Sequence, residues 1–316
     1  PIIASDGDAL KLLQKEFPTL EYIQLPRYGI AYPKNGVYIK LKLLSLIPSI
    51  MKAVIKEKRI VSELINERNI IGIISDNRLG VRSRQVPSVY ITHQINVLAG
   101  VLTFFTSRIH QYCINKFDQC WVPDISDENN LSGVLSKHKS NKMRRIGILS
   151  RFNKTTSSIT YDLLVLLSGL EPHRTQLEAK LLKELIGFDG AVLFVRGMLS
   201  PKNNLKDSRN IVFRNFLESA ELEIVIAQSK LVLARSGYST IMDLAKMSKK
   251  AFFIPTKGQS EQEYLAKYLA SLKIAPYASE QNFKIEMLLN VESYTGFSST
   301  SNVEFPKDLF HLFHRK

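Results

Sequence analysis

In "VLARSGYSTIMDLA", residues 232–245, an apolar run breaks at Ser236-Gly237 and resumes with helical spacing. The pattern predicts a buried strand, a tight turn and a helix. The first turn of a helix has N–H groups without intrahelical partners and a partial positive charge, which suit a phosphate oxygen. Ser239 and Thr240 would add hydroxyl donors, and Asp243 could accept hydrogen bonds from a ribose diol. The alternative is a local capping box of the T-x-x-D type, which serves only the helix backbone.

Short apolar runs and longer helical patterns alternate along the whole chain. Runs rich in Val and Ile and bounded by Gly, Pro or Asp predict strands over 70–76, 86–93, 120–123, 162–169, 191–197, 210–216, 230–237 and 250–256. Helical patterns lie between them, notably over 49–68 and about 100–116. Continuous apolar strands indicate parallel sheets covered by helices on both faces. The predicted fold class is therefore α/β, with two doubly wound Rossmann-like domains facing across a cleft.

A polar, broken segment around 124–155 predicts the boundary between the two domains. We assign residues 1–143 to an N-terminal Rossmann-like domain and 144–305 to a C-terminal one. Residues 306–316 predict a last helix, which could pack back on the first domain. The chain opens with a strand and a helix, without the earlier βα unit that a complete doubly wound domain usually has. We therefore expect the first βα unit of the N-terminal domain to be missing.

The charge balance favours anionic partners. Lys and Arg number 43 against 29 Asp and Glu, which gives a net charge of +14. Such a surplus suits nucleic acid, acidic lipid headgroups or small phosphate-bearing molecules. The basic residues are dispersed and no recognition helix stands out, which argues against nucleic acid.

Cysteine usage and hydropathy point to a cytoplasmic protein that is soluble or peripheral to a membrane. Cys113 and Cys120 form no zinc or disulfide pattern, which fits a reducing compartment. The most apolar stretch, 41–55, is shorter than a membrane span and is interrupted by Lys and Pro. The basic, Leu-rich segment 40–68 could rest on anionic lipid as an amphipathic face; the alternative is a buried helix with an ordinary charged face.

Two further turns in the second half could join the first one. "SGLEPHRTQLE" ends a strand with Ser168 and Gly169 and starts a helix at Pro172, with Arg174 in the first turn. Cations are disfavoured at that end of a helix, so a bound anion would explain the arginine; the alternative is that Arg174 faces solvent. "FFIPTKGQSEQEYLAKYL" places Gln262 at the mouth of a neighbouring strand, where it could bond a sugar hydroxyl.

In the first half, two strand ends carry polar side chains. One delivers Asp76 and Arg78, and the other delivers His93 and Asn96. An aspartate and a histidine at adjacent strand mouths could activate a hydroxyl nucleophile. The alternative is a structural Asp turn and a satisfied histidine. Arg78 could hold the phosphates of an acceptor or could belong to a solvated face.

Motifs for metals and common cofactors are absent from the sequence. It contains no HExxH, DxD, GxxxxGK[ST] or GxGxxG. We therefore expect neither a metal nor a cofactor.

These residues resemble the GT-B glycosyltransferases of the family that contains the N-acetylglucosaminyltransferase forming lipid II, with a family 28-like C-terminal domain. Residues 235–269 are similar to the donor-binding stretch of that family, and 168–178 to the first strand–helix turn of the same domain. "THQINVLAG" (92–100) is similar to a segment of the N-terminal domain written HEQN-x-x-AG. Two departures are Glu263 and Ala266, which stand where the family has Gln and Asn. A third is the lack of the family's Gly-rich loop after its first strand.

The patterns above and the resemblance together assign roles to individual residues. A nucleotide-sugar donor would be held by Arg151, Ser168, Gly169, Arg174, Arg235, Gly237, Ser239, Thr240, Asp243, Gln259, Glu261 and Gln262. Within that set Asp243 would bind the ribose and Gln262 the transferred sugar. Asp76 and His93 would be catalytic, and Arg78 and Asn96 would lie on the acceptor side, in the N-terminal domain.

The implied activity is inverting, metal-independent transfer of a hexose or N-acetylhexosamine from a nucleotide sugar, with UDP the expected nucleotide. The acceptor could be lipid-linked, which would place the enzyme on the inner face of the cytoplasmic membrane and in cell-envelope synthesis. Two alternatives stay open. One is a nucleotide-sugar epimerase or hydrolase on the same fold, and the other is a non-catalytic protein that binds nucleotide sugars or anions.

Overall fold

The structure, a computed structural model, describes residues 1–28, 39–100, 103–125, 130–155, 157–199, 205–297 and 305–314, with only the backbone over 39–47. Parts of the predicted segments 100–116, 124–155 and 306–316 therefore lie outside the described residues, as do the side chains of 40–47 in the segment 40–68. The strands are β1 Ile2–Ser5, β2 Glu21–Gln24, β3 Ile73–Asp76, β4 Ser88–Ile91, β5 Gln119–Val122, β6 Met143–Arg145, β7 Tyr161–Leu166, β8 Val192–Val195, β9 Ile211–Arg214, β10 Ser229–Ala234 and β11 Lys250–Phe253. The α-helices are α1 Gly7–Glu16, α2 Ile39–Glu67, α3 Thr103–Ile114, α4 His173–Glu184, α5 Ser219–Ala227, α6 Tyr238–Lys246 and α7 Ser260–Ser271.

The second half of the chain forms a five-stranded parallel sheet in the order β11-β10-β7-β8-β9. Numbered within this sheet the order is 5-4-1-2-3, the doubly wound arrangement. The direction of winding reverses between β7 and β10, where Leu166 pairs with Ala234. Both strands therefore end at one level, and ligands of such sheets bind at this place.

Both faces of this sheet are buried, as the continuous apolar strands predict. In β10, Val232 and Ala234 belong to one hydrophobic cluster, whereas Leu233 belongs to the cluster on the opposite face. The α/β class with parallel sheets and covering helices is confirmed.

The first half contains two parallel sheets. One has four strands in the order β3-β4-β5-β6, and the other pairs β1 with β2. No backbone ladder joins the pair to β3 within the described residues. Arg78, which follows β3, links them instead through Asp6 and the carbonyl of Pro26.

The C-terminal residues pack on the first half. The segment Leu309–His314 forms a 3-10 helix, and the ring of Phe310 lies edge-on to Trp121 with centroids 5.7 Å apart. Phe313 lies against Gly72, so the segment covers the start of β3.

Among the residues that the structure describes, no helix has both the length and the apolar character that crossing a membrane requires.

Candidate functional site

Two glycine-containing turns meet where β7 and β10 end. Ser168 and Gly169 follow β7, and Ser236 and Gly237 follow β10. Gly169 has φ +103°, a conformation that favours glycine. A Cβ atom added at Gly169 or Gly237 would meet no heavy atom within 4 Å. Both turns therefore border open space at the edge of the sheet.

The start of α6 directs backbone donors toward this space. Gly237 is the N-cap with φ −72° and ψ 140°, and the first intrahelical bond runs from Ile241 N to Gly237 O at 3.0 Å. The N–H groups of Tyr238, Ser239 and Thr240 precede that bond, so the helix itself does not use them. The capping-box alternative is wrong, because Thr240 is already the third residue of the helix.

Asp243 lies one turn further along α6. Its Oδ1 accepts a 2.6 Å hydrogen bond from the Ser150 hydroxyl. Burial raises the pKa of the Asp243 carboxyl, and the Ser150 hydrogen bond and the charge of Arg151 partly oppose this. Arg151 itself is exposed and lies over the ring of Phe152. The structure thus brings the predicted residues Arg151 and Asp243 together, with Ser150 as a neighbour that the sequence did not reveal.

Arg174 has carboxylate partners that account for its position without a bound anion. The side chain is 4% exposed, its Nε donates to Glu171 at 2.7 Å, and its Nη1 donates to Glu178 at 2.8 Å. Glu178 also binds Arg196, which makes a buried cluster of two arginines around one glutamate. Our inference of an anion from Arg174 is therefore wrong, since Glu171 and Glu178 supply the negative charge.

Arg235 is also a structural residue rather than a donor ligand. Its side chain is 1% exposed and donates to the carbonyls of Ile254 and Pro255, each at 3.1 Å. A further bond joins it to Glu280 at 3.0 Å. These contacts tie the end of β10 to the end of β11, and they correct the expectation that this side chain holds the donor.

The loop after β11 is fastened to the Gly237 turn. The Oε1 of Gln262 accepts from the N–H of Thr256 at 2.8 Å, and the hydroxyl of Ser236 donates to the Gln262 carbonyl at 2.8 Å. Gln259 is the N-cap of α7, without a side-chain capping bond. The predicted residues Gln259 and Gln262 therefore lie beside the turn that follows β10, although the side-chain carbonyl of Gln262 is already used by the loop.

His93 joins the two halves of the molecule. Its Nε2 lies 2.8 Å from the Oε1 of Glu261 at the start of α7, and its ring stacks on Tyr238 with centroids 4.1 Å apart. The Tyr238 hydroxyl donates to the carbonyl of Pro123 at 2.8 Å, which fixes the stacked ring. The sequence signals neither contact, because Glu261 and Tyr238 are distant from His93 along the chain.

Asp76 lies at the end of β3, close enough to His93 to interact with it electrostatically. Loss of hydration raises the pKa of Asp76, and the neighbouring His93 opposes the shift. The two predicted catalytic residues therefore do lie near each other. The hydrogen-bond partner of His93, however, is Glu261 and not Asp76.

The side chains of Arg78 and Asn96 form hydrogen bonds within the fold. Arg78 Nε donates to buried Glu57 at 2.7 Å, in addition to its contacts with β1 and β2. The amide nitrogen of Asn96 donates to the carbonyls of Val134 and Lys137, and its oxygen accepts from Gln111. The expectation that these two side chains bind an acceptor is corrected, because their polar atoms already hold loops in place.

An open groove that sequence reasoning missed lies between the two halves. Lys15 of α1 lines one side, and Met198, Asn215 and Phe216, which follow β8 and β9, line the other. No local motif marks it, because its walls come from separate parts of the chain.

Within the described ranges, no group of three or more His, Cys, Asp or Glu side chains could hold a metal ion.

Comparisons with known proteins agree with this architecture. Residues 197–294 match the glycosyltransferase family 28 C-terminal domain. The UDP-N-acetylglucosamine--N-acetylmuramyl-(pentapeptide) pyrophosphoryl-undecaprenol N-acetylglucosamine transferase of Haemophilus ducreyi is 23% identical over 220 residues, which is 67% of this chain. The matched region spans 59% of the length of that relative.

Solved structures match over nearly the whole chain. The spinosyn rhamnosyltransferase SpnG superposes with a TM-score of 0.66 at 11% identity, over 99% of this chain and 92% of that one. SpnG complexed with thymidine diphosphate gives 0.57 at 12% identity, over 95% and 94%. MurG of Acinetobacter baumannii gives 0.52 at 13% identity, over 99% and 98%. The chain therefore has the GT-B fold of two Rossmann-like domains and carries a glycosyltransferase family 28 C-terminal domain over residues 197–294.

Proposed function

We propose that the protein is an inverting glycosyltransferase that moves a hexose or N-acetylhexosamine from a nucleoside-diphosphate sugar to an acceptor hydroxyl. The observation that carries the proposal is the crevice between β7 and β10, where two open glycine turns, the start of α6 and Asp243 converge. UDP is the nucleotide we favour, because the Haemophilus ducreyi relative is named for transfer from UDP-N-acetylglucosamine.

The diphosphate would bind at the start of α6. Open space beside Gly169 and Gly237 lets phosphate oxygens approach the backbone closely. The N–H groups of the first turn then donate to the phosphates, with the hydroxyls of Ser239 and Thr240 beside them. These dipoles stabilise the negative charge that grows on the departing diphosphate, and we propose that transfer needs no metal.

Asp243 would bind the ribose. One carboxylate oxygen already accepts from Ser150, so the other oxygen is left for a ribose hydroxyl. The raised pKa of Asp243 shows that the fold desolvates this charge at a cost, which a ligand hydroxyl would offset.

His93 would be the general base. It takes the proton of the acceptor hydroxyl while the acceptor oxygen forms a bond to the anomeric carbon. The bond from that carbon to the diphosphate breaks on the opposite face, and the leaving nucleoside diphosphate keeps the electron pair. Configuration at the anomeric carbon is therefore inverted. General-base catalysis of this kind contributes about 10²- to 10⁴-fold to the rate.

Donor binding is tested by thermal-shift and calorimetric titration with UDP, dTDP, UDP-N-acetylglucosamine and UDP-glucose. We expect saturable stabilisation by at least one of them, in buffer with EDTA as well as without it. Proton NMR of the first turnovers, with the lipid-linked muramyl-pentapeptide acceptor named for the Haemophilus ducreyi relative, reports the configuration of the product. Absence of stabilisation by every nucleotide would refute the proposal, and a retained configuration would refute inversion.

We also propose that the enzyme works at the cytoplasmic surface of an anionic membrane, where a lipid-linked acceptor would be presented. The face of α3 exposes Phe104, Phe105, Ile109 and Tyr112, each between 62% and 66% exposed. Cations accompany these rings, since the guanidinium of Arg108 lies over Phe104. Exposed aromatic residues beside cations suit the headgroup region of an anionic bilayer.

Helix α2 also exposes apolar residues, on one of its faces. Ala53, Glu57 and Val61 form a buried stripe, whereas Met51 and Ile55 are exposed among basic residues. The buried stripe fits a helix packed within the fold, and we propose that the exposed face meets the lipid.

Vesicle flotation tests the membrane proposal. We expect binding to vesicles containing about 30% phosphatidylglycerol and little binding to pure phosphatidylcholine. The double variant Phe104→Ser with Phe105→Ser should lose binding, whereas Ile186→Ser, at a still more exposed apolar residue of the second half, should keep it. Equal binding by both variants would refute the assignment.

A further inference from the structure

The contact between His93 and Glu261 connects the loop after β4 with the first turn of α7, in the opposite half of the molecule. We infer that Glu261 is the positioning residue of His93: it holds the proton on Nε2 and leaves Nδ1 as the atom that accepts a proton. This inference rests on the proposed function, and it assigns Glu261 to the base rather than to the donor.

Two partners restrain the imidazole. Glu261 Oε1 lies 2.8 Å from Nε2, and the face of Tyr238 covers one side of the ring at an interplanar angle of 10°. The two partners are held in turn, since Tyr238 is anchored to Pro123 and Glu261 belongs to a regular helix. In the part of the chain that the structure describes, Nδ1 of His93 has no hydrogen-bond partner. One ring nitrogen is therefore fixed and the other is left for chemistry.

The hydrogen bond determines which nitrogen carries the proton. A carboxylate only accepts, so neutral His93 must donate its proton from Nε2 to Glu261. Nδ1 then carries the lone pair that takes the acceptor's proton as the new glycosidic bond forms. The imidazolium that results is stabilised by the negative charge of Glu261 on one side and by Asp76 nearby. Solvent removes the extra proton after the nucleoside diphosphate has left.

The same helix turn also supports the donor crevice. Glu261 precedes Gln262, whose carbonyl accepts from Ser236 in the turn that leads to Gly237. Tyr238, which stacks on His93, is the first residue of α6. The base and the phosphate-binding turn are thus attached to one rigid unit, which fixes their relative positions when the two halves are together.

Side-chain ¹⁵N NMR of full-length protein labelled at histidine reads the tautomer of His93 without any turnover. The variant His93→Gln identifies the signals of His93 among those of the six histidines. We expect the Nε2-protonated form of His93 in the wild type and in Glu261→Gln, whose amide oxygen still accepts the bond. We expect a mixture of tautomers in Glu261→Ala.

Steady-state kinetics tests the consequence for catalysis. Glu261→Gln should lower kcat about 10- to 100-fold through loss of the charge, and Glu261→Ala should lower it further, each with little change in donor KM. In the His93→Gln background, Glu261→Gln should add almost nothing, because the two residues act as one unit. The control Glu292→Gln removes an exposed carboxylate that pairs with Lys250 and should match the wild type.

The outcomes distinguish the two proposals. Additive losses in the double variant, a wild-type tautomer protonated on Nδ1, or full activity of Glu261→Ala would overturn the assignment of Glu261 and leave the transferase proposal standing. A wild type that binds no nucleotide would overturn the proposed function, and the role of Glu261 with it.

Discussion

The substitution Asp243→Asn keeps the size of the side chain but removes a carboxylate that folding desolvates. We expect it to weaken nucleotide binding while leaving the fold as stable as before or more stable. Ser150 occupies Oδ1, so one oxygen of Asp243 is available to a ribose hydroxyl. A hydrogen bond to a charged acceptor contributes about 1.5–3 kcal/mol, so the Kd for UDP should rise about 10- to 150-fold.

The pH dependence of stability follows from the raised pKa of Asp243. Between its ordinary pKa and the raised value, the native state binds the proton more tightly than the unfolded chain does. The wild type therefore loses stability as pH rises through this window, and the Asn variant does not share that loss. The stability advantage of the variant should grow with pH and become constant above the raised pKa.

Isothermal titration with UDP gives the Kd, and urea unfolding at several pH values gives the free energy of unfolding. The matched control is Asp162→Asn at the amino end of β7, where the carboxylate accepts from the N–H of Ala191. That control should lose some stability and keep the wild-type Kd. The reasoning fails if Asp243→Asn binds UDP as the wild type does, or if its weaker binding merely accompanies unfolding.

Three further substitutions probe the site and its supports. Gly237→Val should keep the melting temperature but weaken UDP binding at least about tenfold by calorimetry, because its Cβ would project into open crevice and φ −72° suits any residue. Gly133→Ala should destabilise by about 1–3 kcal/mol in urea, because Gly133 has φ +56° and its Cβ would clash with Tyr264. Glu178→Gln should cost about 3–5 kcal/mol at pH 7 by leaving two buried arginines with less compensation. Desolvation alone would raise the pKa of Glu178, but Arg196 and Arg174 outweigh it and lower the pKa below its ordinary value. The stability that Glu178 contributes should therefore fade as pH falls, so the wild type and the variant should differ less in free energy of unfolding at pH 4.

The strands of the second half were predictable from the sequence, because burial on both faces leaves a continuous apolar run. The turn at Gly237 was predictable for the same reason, since strand, glycine and helix are adjacent in the chain. The division of the first half into two sheets was not. The absence of a backbone ladder between the β1–β2 pair and β3 cannot be recognised from the composition of these strands.

The arginines show where local reasoning fails. Arg174 and Arg235 stand at strand and helix ends that suit an anion, and no local pattern identifies their actual partners. Glu280, for example, reaches Arg235 from 45 residues further along the chain. A cation at a helix start indicates a nearby negative charge, but that charge can be a carboxylate of the same protein.

The chain would recognise two different anions, a diphosphate and an anionic membrane surface, by different groups. On the proposed function, recognition of a diphosphate would fall mainly to backbone N–H groups, because the buried arginines beside the crevice are compensated by glutamates. Arg108, beside the exposed rings of α3, has no carboxylate partner among the described residues, and the exposed Arg151 lies near Asp243. Backbone donors select by shape and distance, whereas exposed cations select by charge density. On the proposed function, the first kind of recognition suits a specific nucleotide and the second suits a membrane surface, so the +14 charge of the chain is better explained by the membrane than by the donor.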